Sequence, residues 1–172
     1  RTPLFSAVYE DNAEMVKQLI AAGANVKAVD QYERTPLFMA AMGGHRAVVE
    51  QLIAAGADLD LADNQGQTLL YEAVYGDNAE IVAQLIAAGA NVKAVDQYER
   101  TPLYIAAMKG EGEVVEALLK AKAEKLDLDL ADNQGQTPLF MAAMGGHRTV
   151  VEQLIAAGAD LDLADNQGQT PL

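Results

Sequence analysis

The 172-residue sequence contains no cysteine. That absence removes a disulfide framework, a thiolate metal site and a thiol nucleophile together. Basic residues are scarce as well. With 12 Lys and Arg against 25 Asp and Glu, the formal net charge is −13, so a nucleic-acid backbone or an anionic membrane surface would repel the chain. A basic or neutral protein surface is the better match. Apolar runs stay far short of the roughly 20 residues that a membrane span needs, and no charged-then-apolar signal segment opens the chain. The expectation is a soluble protein of the cytoplasm or of a host-cell cytosol, with neither nucleic acid nor membrane as its partner. Beginning at Arg1 rather than Met, it also reads as an excised or processed piece.

What is present suffices for a core, because the chain is 51% apolar and 22% charged. Its order is periodic. Thr-Pro-Leu recurs at Thr2, Thr35, Thr101, Thr137 and Thr170, with Thr68-Leu69-Leu70 filling the gap, at spacings of 33, 33, 33, 36 and 33. Five complete units follow, 2–34, 35–67, 68–100, 101–136 and 137–169, and 170–172 start a sixth. Units two and five differ at one position, Ala47 against Thr149, and units one and three share the ending GANVKAVDQYER. Such near-identity means recent duplication or deliberate design.

Within unit two, Thr35 is a good N-cap and Pro36 suits the first helical position, where its missing N–H costs nothing. A first helix should run to about Met42 and break at Gly43-Gly44. Val48, Val49, Leu52 and Ile53 then recur at the spacing of a second amphipathic helix, with Gly56 as a left-handed terminator. Asp63-Asn64-Gln65-Gly66 reads as a β-turn. Neither helix is long enough to be stable alone, so stacking must stabilise both. Leu37, Ala40 and Ala41, with the second helix's stripe, should form one layer of a continuous core.

Units such as DNQGQTPLFMAAMGGHRTVVEQLIAAGADLDLA, residues 132–164, resemble the ankyrin repeat, and the resemblance covers essentially the whole chain. It implies an all-α fold, a single solenoid of helix-turn-helix units over 1–172, curved in a right-handed sense and joined by β-hairpin or turn fingers. It also implies a protein partner, no cofactor and no enzymatic activity. Departures from the family pattern are specific. Phe5, Phe38, Tyr71, Tyr104 and Phe140 replace the His that usually follows Thr-Pro-Leu, which removes a polar contact. Glu33 and Glu99 stand where the turn Gly belongs, so either the turn changes type or each accepts left-handed strain of roughly 1–2 kcal/mol. Unit four has three extra residues and no Gly between Gly112 and Gly135, so its second helix is expected to run on through Lys120, Lys122 and Lys125.

Catalytic chemistry finds little support. Ser6 is the only serine, and His45 and His147 occupy the same position of near-identical units, at the start of the second helix. Asp58, Asp60 and Asp63, echoed at Asp127, Asp129, Asp132 and at Asp160, Asp162, Asp165, faintly suggest a calcium loop. Counted from Asp58, however, the required sixth-position Gly is Asp63 and the twelfth-position carboxylate is Leu69. An extended stretch with Leu59 and Leu61 inward and the aspartates outward is the expectation. KGEGE around Gly110 lacks the strand and the Lys-Ser/Thr of a phosphate loop.

The resemblance places Tyr9, Met42, Tyr75, Met108 and Met144 of the first helices on a concave groove. Tyr32, Arg34, Gln65, Gln67, Tyr98, Arg100, Gln134 and Gln136 come from the fingers. Tyr, Arg and Met are types enriched in interface cores, although duplicated surface residues would look the same. Lys120, Lys122 and Lys125 fit either a small acidic-partner patch or a solvated helix face. The function expected is a protein-binding scaffold; the alternative is a structural or targeting repeat segment of a larger effector, toxin or channel chain. No unit carries the polar outer face of a terminal cap. Apolar surface is therefore expected at Leu4, Val16 and Leu19 at one end and Val150, Leu154 and Ile155 at the other, with end-to-end self-stacking as the outcome.

Overall fold

The computed structural model describes residues 2–63, 66–121 and 126–171. Two compact units divide the chain, Arg1–Ala90 and Asn91–Leu172.

The first unit holds α1 (Pro3–Tyr9), α2 (Ala13–Ala21), α3 (Pro36–Met42), α4 (Arg46–Ala54), α5 (Leu69–Tyr75) and α6 (Ala79–Ala87). They pair as α1/α2, α3/α4 and α5/α6. First helices pack on first helices (α1 on α3, α3 on α5) and second on second (α2 on α4, α4 on α6). The second unit repeats this with α7 (Pro102–Lys109), α8 (Gly112–Leu119), α9 (Pro138–Met144) and α10 (Arg148–Ala157), α7 lying on α9 and α8 on α10. No strand forms among the described residues, so the fingers are hydrogen-bonded turns.

Capping explains where the helices start. The hydroxyls of Thr35, Thr101 and Thr137 each accept from the backbone N–H three residues on, at 3.1 Å. Asn12 and Asn78 do the same for α2 and α6 through their side-chain carbonyls. The expected core layer is present: Leu37, Ala40, Ala41, Val48, Val49 and Leu52 are all buried. Truncating such a Leu to Ala costs about 2–5 kcal/mol, because a stacked layer collapses only partly into the void.

Several expectations are corrected. α8 ends at Leu119, with Lys120 as its C-cap and Ala121 outside the helix. The extra residues of unit four therefore do not prolong it through Lys120, and Lys122 and Lys125 lie outside the described residues. Leu4, Val16, Val150 and Leu154, expected to be exposed end surface, are buried; Val16 lies on α2, which packs on α4 as well as α1, and Val150 and Leu154 lie on α10, which packs on α8 as well as α9. Leu19 is half-buried and Ile155 exposed. Leu59 is half-buried and Leu61 exposed, so the leucines before the turn do not both point inward. Instead Asp132 and Asp165, with their counterpart Asp96, are buried.

Those buried aspartates build the fingers. Asp132 Oδ1 accepts the N–H groups of Gln134 and Gln136, both at 2.9 Å, and Asp165 Oδ1 does the same for Gln167 and Gln169. A carboxylate accepting several amides holds the loop in one conformation. Glu33 and Glu99 resolve the turn question by taking the left-handed conformation, φ 63° in both, where Gly66 and Gly135 also sit. Asp11 and Asp77 adopt positive φ as well, a strain not foreseen from the sequence. In the second unit the fingers are laced together: Asn133 donates its N–H to the Tyr98 carbonyl, and Asn166 donates its own to the Gln134 carbonyl. Asn166 approaches Gly135 so closely that a Cβ there would collide with it.

The aspartates before each finger also hold local turns, Asp58 accepting from the Asp60 N–H and Asp160 from that of Asp162. Asp129 reaches across to the Asp160 N–H at 2.9 Å. No helix among the described residues is long and apolar enough to cross a membrane.

Candidate functional site

The fingertips are organised by ion pairing. Asp30 Oδ1 accepts the N–H groups of Tyr32 and Arg34, while Arg34 Nε and Nη2 donate to Oδ2 at 3.0 and 2.7 Å. The same guanidinium lies over the Tyr32 ring, with Cζ 4.6 Å from the centroid. Asp96, Tyr98 and Arg100 repeat this arrangement, again with Cζ 4.6 Å from the ring. Each arginine is thus committed to its own finger. What each finger leaves exposed is the tyrosine it braces, Tyr32 and Tyr98 each being 47% exposed. Burial alone would raise the Asp30 carboxyl. The Arg34 guanidinium, the amides of Arg34 and Tyr32 and the Arg34 charge outweigh it and hold the group below its ordinary value.

On the first helices of the first unit, Tyr9, Met42 and Tyr75 are the last residues of α1, α3 and α5, and all three are exposed. Equivalent ends of stacked helices place them in one row. Tyr75 lies parallel to Tyr71, ring centroids 6.3 Å apart, which limits its rotamers. In the second unit Met144 ends α9 and is 65% exposed. Met108 is half-buried, and its carbonyl meets His147 Nε2 at 3.0 Å. Gln134 is exposed, and Gln67 and Gln136 are half-buried beside their fingers. Gln65 lies outside the described residues.

Sequence reading missed Glu72. It sits in α5 where the other first helices carry Ser6, Met39, Ile105 and Met141, of which Ile105 and Met141 are buried. Burial pushes its carboxyl up, the Asp63 charge adds to that, and Arg34 opposes it. Those two partners belong to fingers, so Glu72 faces the finger side of its helix, one turn from Tyr75. Its signal was available: a carboxylate at a repeat position that is apolar in three other units.

The histidines serve packing. The His147 ring lies against Gly145 and meets the Met108 carbonyl, and His45 lies against Gly43 and meets Asp11 at 3.4 Å. An open cavity of about 460 Å³ adjoins one fingertip, lined by Thr2, Phe5, Val29, Asp30, Gln31, Tyr32 and Arg34.

Comparison with curated proteins returns no match to the chain. A family model described as ankyrin repeats (3 copies) matches residues 1–63, 47–129 and 124–172. Helix pairs, Thr-Pro-Leu caps and laced fingers agree with it, and the chain belongs to the ankyrin-repeat family.

Proposed function

We propose that the chain is a non-enzymatic scaffold that binds a protein partner through its fingertip tyrosines and the exposed ends of its first helices. Repeats of this family are in general protein–protein interaction modules. The observation that carries the reading is the bracing of Tyr32 and Tyr98 by Arg34 and Arg100. An aromatic anchor held in place before binding loses little freedom on association, so more of its contact energy appears as affinity. Tyr9, Met42, Tyr75 and Met144 extend the surface along the helices, with Met108, Gln65, Gln67, Gln134 and Gln136 as flanking contacts. The −13 charge favours a basic or neutral partner. In this reading the repeats 2–34, 35–67, 68–100, 101–136 and 137–169 are near-identical copies produced by duplication or design.

Photo-crosslinking from positions 32 and 98 in cell extract, followed by titration of the protein captured, tests this. Tyr32→Ala, Tyr75→Ala and Tyr98→Ala should each cost on the order of 2 kcal/mol, or about 30-fold in Kd, with helicity unchanged. Native affinity in all three variants would remove the surface assignment.

A further inference from the structure

Each repeat position occurs several times in the chain, so a residue that breaks the pattern is judged against its own copies. Ser6, Met39, Glu72, Ile105 and Met141 hold one place in the five first helices, and Glu72 alone of them is ionisable. Ile105 and Met141 are buried and Met39 is half-buried, so packing here is served by an apolar side chain. Glu72 is half-buried as well. Taking an anion partly out of water is costly unless a counter-ion or hydrogen-bond donors meet it. Among the described residues the Glu72 side chain makes no hydrogen bond and no ion pair; the charges that act on it are those of Asp63, which adds to the cost, and Arg34, which opposes it. Arg34 is held elsewhere, its Nε and Nη2 donating to Asp30 at 3.0 and 2.7 Å.

The neighbours of Glu72 are neutral. α1, α3 and α5 lie side by side and contain no Lys or Arg. Residues three apart on a helix share a side, so these helices present Ser6, Met39 and Glu72 in one row and Tyr9, Met42 and Tyr75 in the next. Of the six, only Glu72 bears a charge. Tyr75, one turn on from it, is 55% exposed and lies parallel to the Tyr71 ring.

A neutral apolar segment docking on these rows would bury the Glu72 carboxylate without compensation and so be rejected. A cationic side chain gains from the carboxylate and again from the face of the adjacent tyrosine. The −13 net charge acts in the same sense at longer range.

We propose that Glu72 is the specificity-determining residue of this surface and receives a lysine or arginine side chain of the protein partner, with Tyr75 flanking the cation. This rests on the reading of the first-helix ends as a binding surface and adds the chemistry of what they take. Met39 and Met42 offer apolar contact to the stem of the incoming side chain. A carboxylate kept where Met packs in two sister repeats breaks the local packing rule, as residues serving a site do.

A phage-displayed library of random linear peptides, selected on the full chain, is the probe. Peptides that bind wild type but lose affinity for Tyr32→Ala or Tyr75→Ala use the surface, and these are synthesised and titrated. They should share a Lys or Arg. Glu72→Gln, which keeps the shape of the side chain, should weaken them about 10- to 100-fold, the loss of a charge-assisted bond. Glu50→Gln removes the same charge from an exposed position on α4 and should leave Kd nearly unchanged. Replacing the shared Lys or Arg by Met should weaken binding to wild type but add little to the loss in Glu72→Gln, because the two groups act as one pair. Circular dichroism checks that each variant keeps its helicity. Surface-dependent peptides that lack a basic residue, that bind Glu72→Gln at native strength, or whose two losses are additive would overturn the assignment and leave the binding surface standing. If no selected peptide depends on Tyr32 or Tyr75, both fall together.

Discussion

The Tyr104 hydroxyl donates a 2.9 Å hydrogen bond to Oδ2 of Asp132, 28 residues further on, and both residues are buried. Asp132 Oδ1 is already taken by two backbone amides of its finger. The phenol therefore ties helix α7 to the turn that closes its repeat. Burial, and then the Asp132 bond and charge, push the Tyr104 phenol well above the ordinary tyrosine range. The polar contact expected to be lost with the missing His is supplied here by another residue type.

Tyr104→Phe should lower stability by about 1–3 kcal/mol, because it leaves a buried carboxylate oxygen without its donor. The ring itself is tolerated, since Phe38 and Phe140 are buried at the same position. The reciprocal change, Phe140→Tyr, should add a bond to the buried Asp165 and gain about 1 kcal/mol. Urea denaturation of both variants is the check. Equal midpoints for Tyr104→Phe and wild type would show that the bond contributes nothing.

Glu72→Met should raise the unfolding midpoint at pH 7. The folded-state pKa of Glu72 lies above its ordinary value of 4.5, so folding disfavours the ionised form. That penalty is complete above the folded value and vanishes below the ordinary one. The advantage of the Met variant should accordingly shrink as pH is lowered from 7 toward 4, as thermal melts across that range would show. A pH-independent difference would mean that packing, and not charge, is responsible.

Asp30 behaves in the opposite sense. Its folded pKa is below the ordinary 3.8, so its contribution is present above 3.8 and is lost as pH falls through the folded value. Asp30→Asn should be less stable than wild type at neutral pH, with the gap closing in acid. It should also loosen Tyr32, since Arg34 loses the anion that holds it over the ring. Order parameters at the Tyr32 finger that remain unchanged would contradict this.

Glu33→Gly and Glu99→Gly should each stabilise by up to about 1 kcal/mol, the relief of left-handed strain being partly offset by the greater freedom of Gly in the unfolded chain. Asp77→Gly should gain less, because Asp tolerates positive φ better than Glu. Equal gains at Glu33 and Asp77, measured by chemical denaturation, would show that side-chain identity does not govern the strain.

Legibility in the sequence followed the locality of the signal. Thr-Pro-Leu marked helix starts, Gly43-Gly44 and Gly56 marked ends, and the spacing of Val48, Val49 and Leu52 marked the buried stripe. All of these act within a few residues, where backbone and side-chain chemistry are nearly independent of context. In unit four the absence of Gly predicts a longer second helix, whereas α8 ends at Leu119 without one. The residues of the candidate surface are nameable from the sequence only as repeat positions. Their exposure emerged from the fold, as did the commitment of Arg34 and Arg100 to Asp30 and Asp96.

By itself, the sequence determined the repeat, the helix pairs, the acidic surface and the absence of thiol chemistry, because periodicity and composition are properties of the chain. Tertiary structure decided which copies of one repeated residue are covered. Met15 and Val48 occupy the same repeat position, yet one is 44% exposed and the other is buried. The physical reason is that burial in a stacked repeat depends on the neighbour, and that neighbour lies about 33 residues away in sequence.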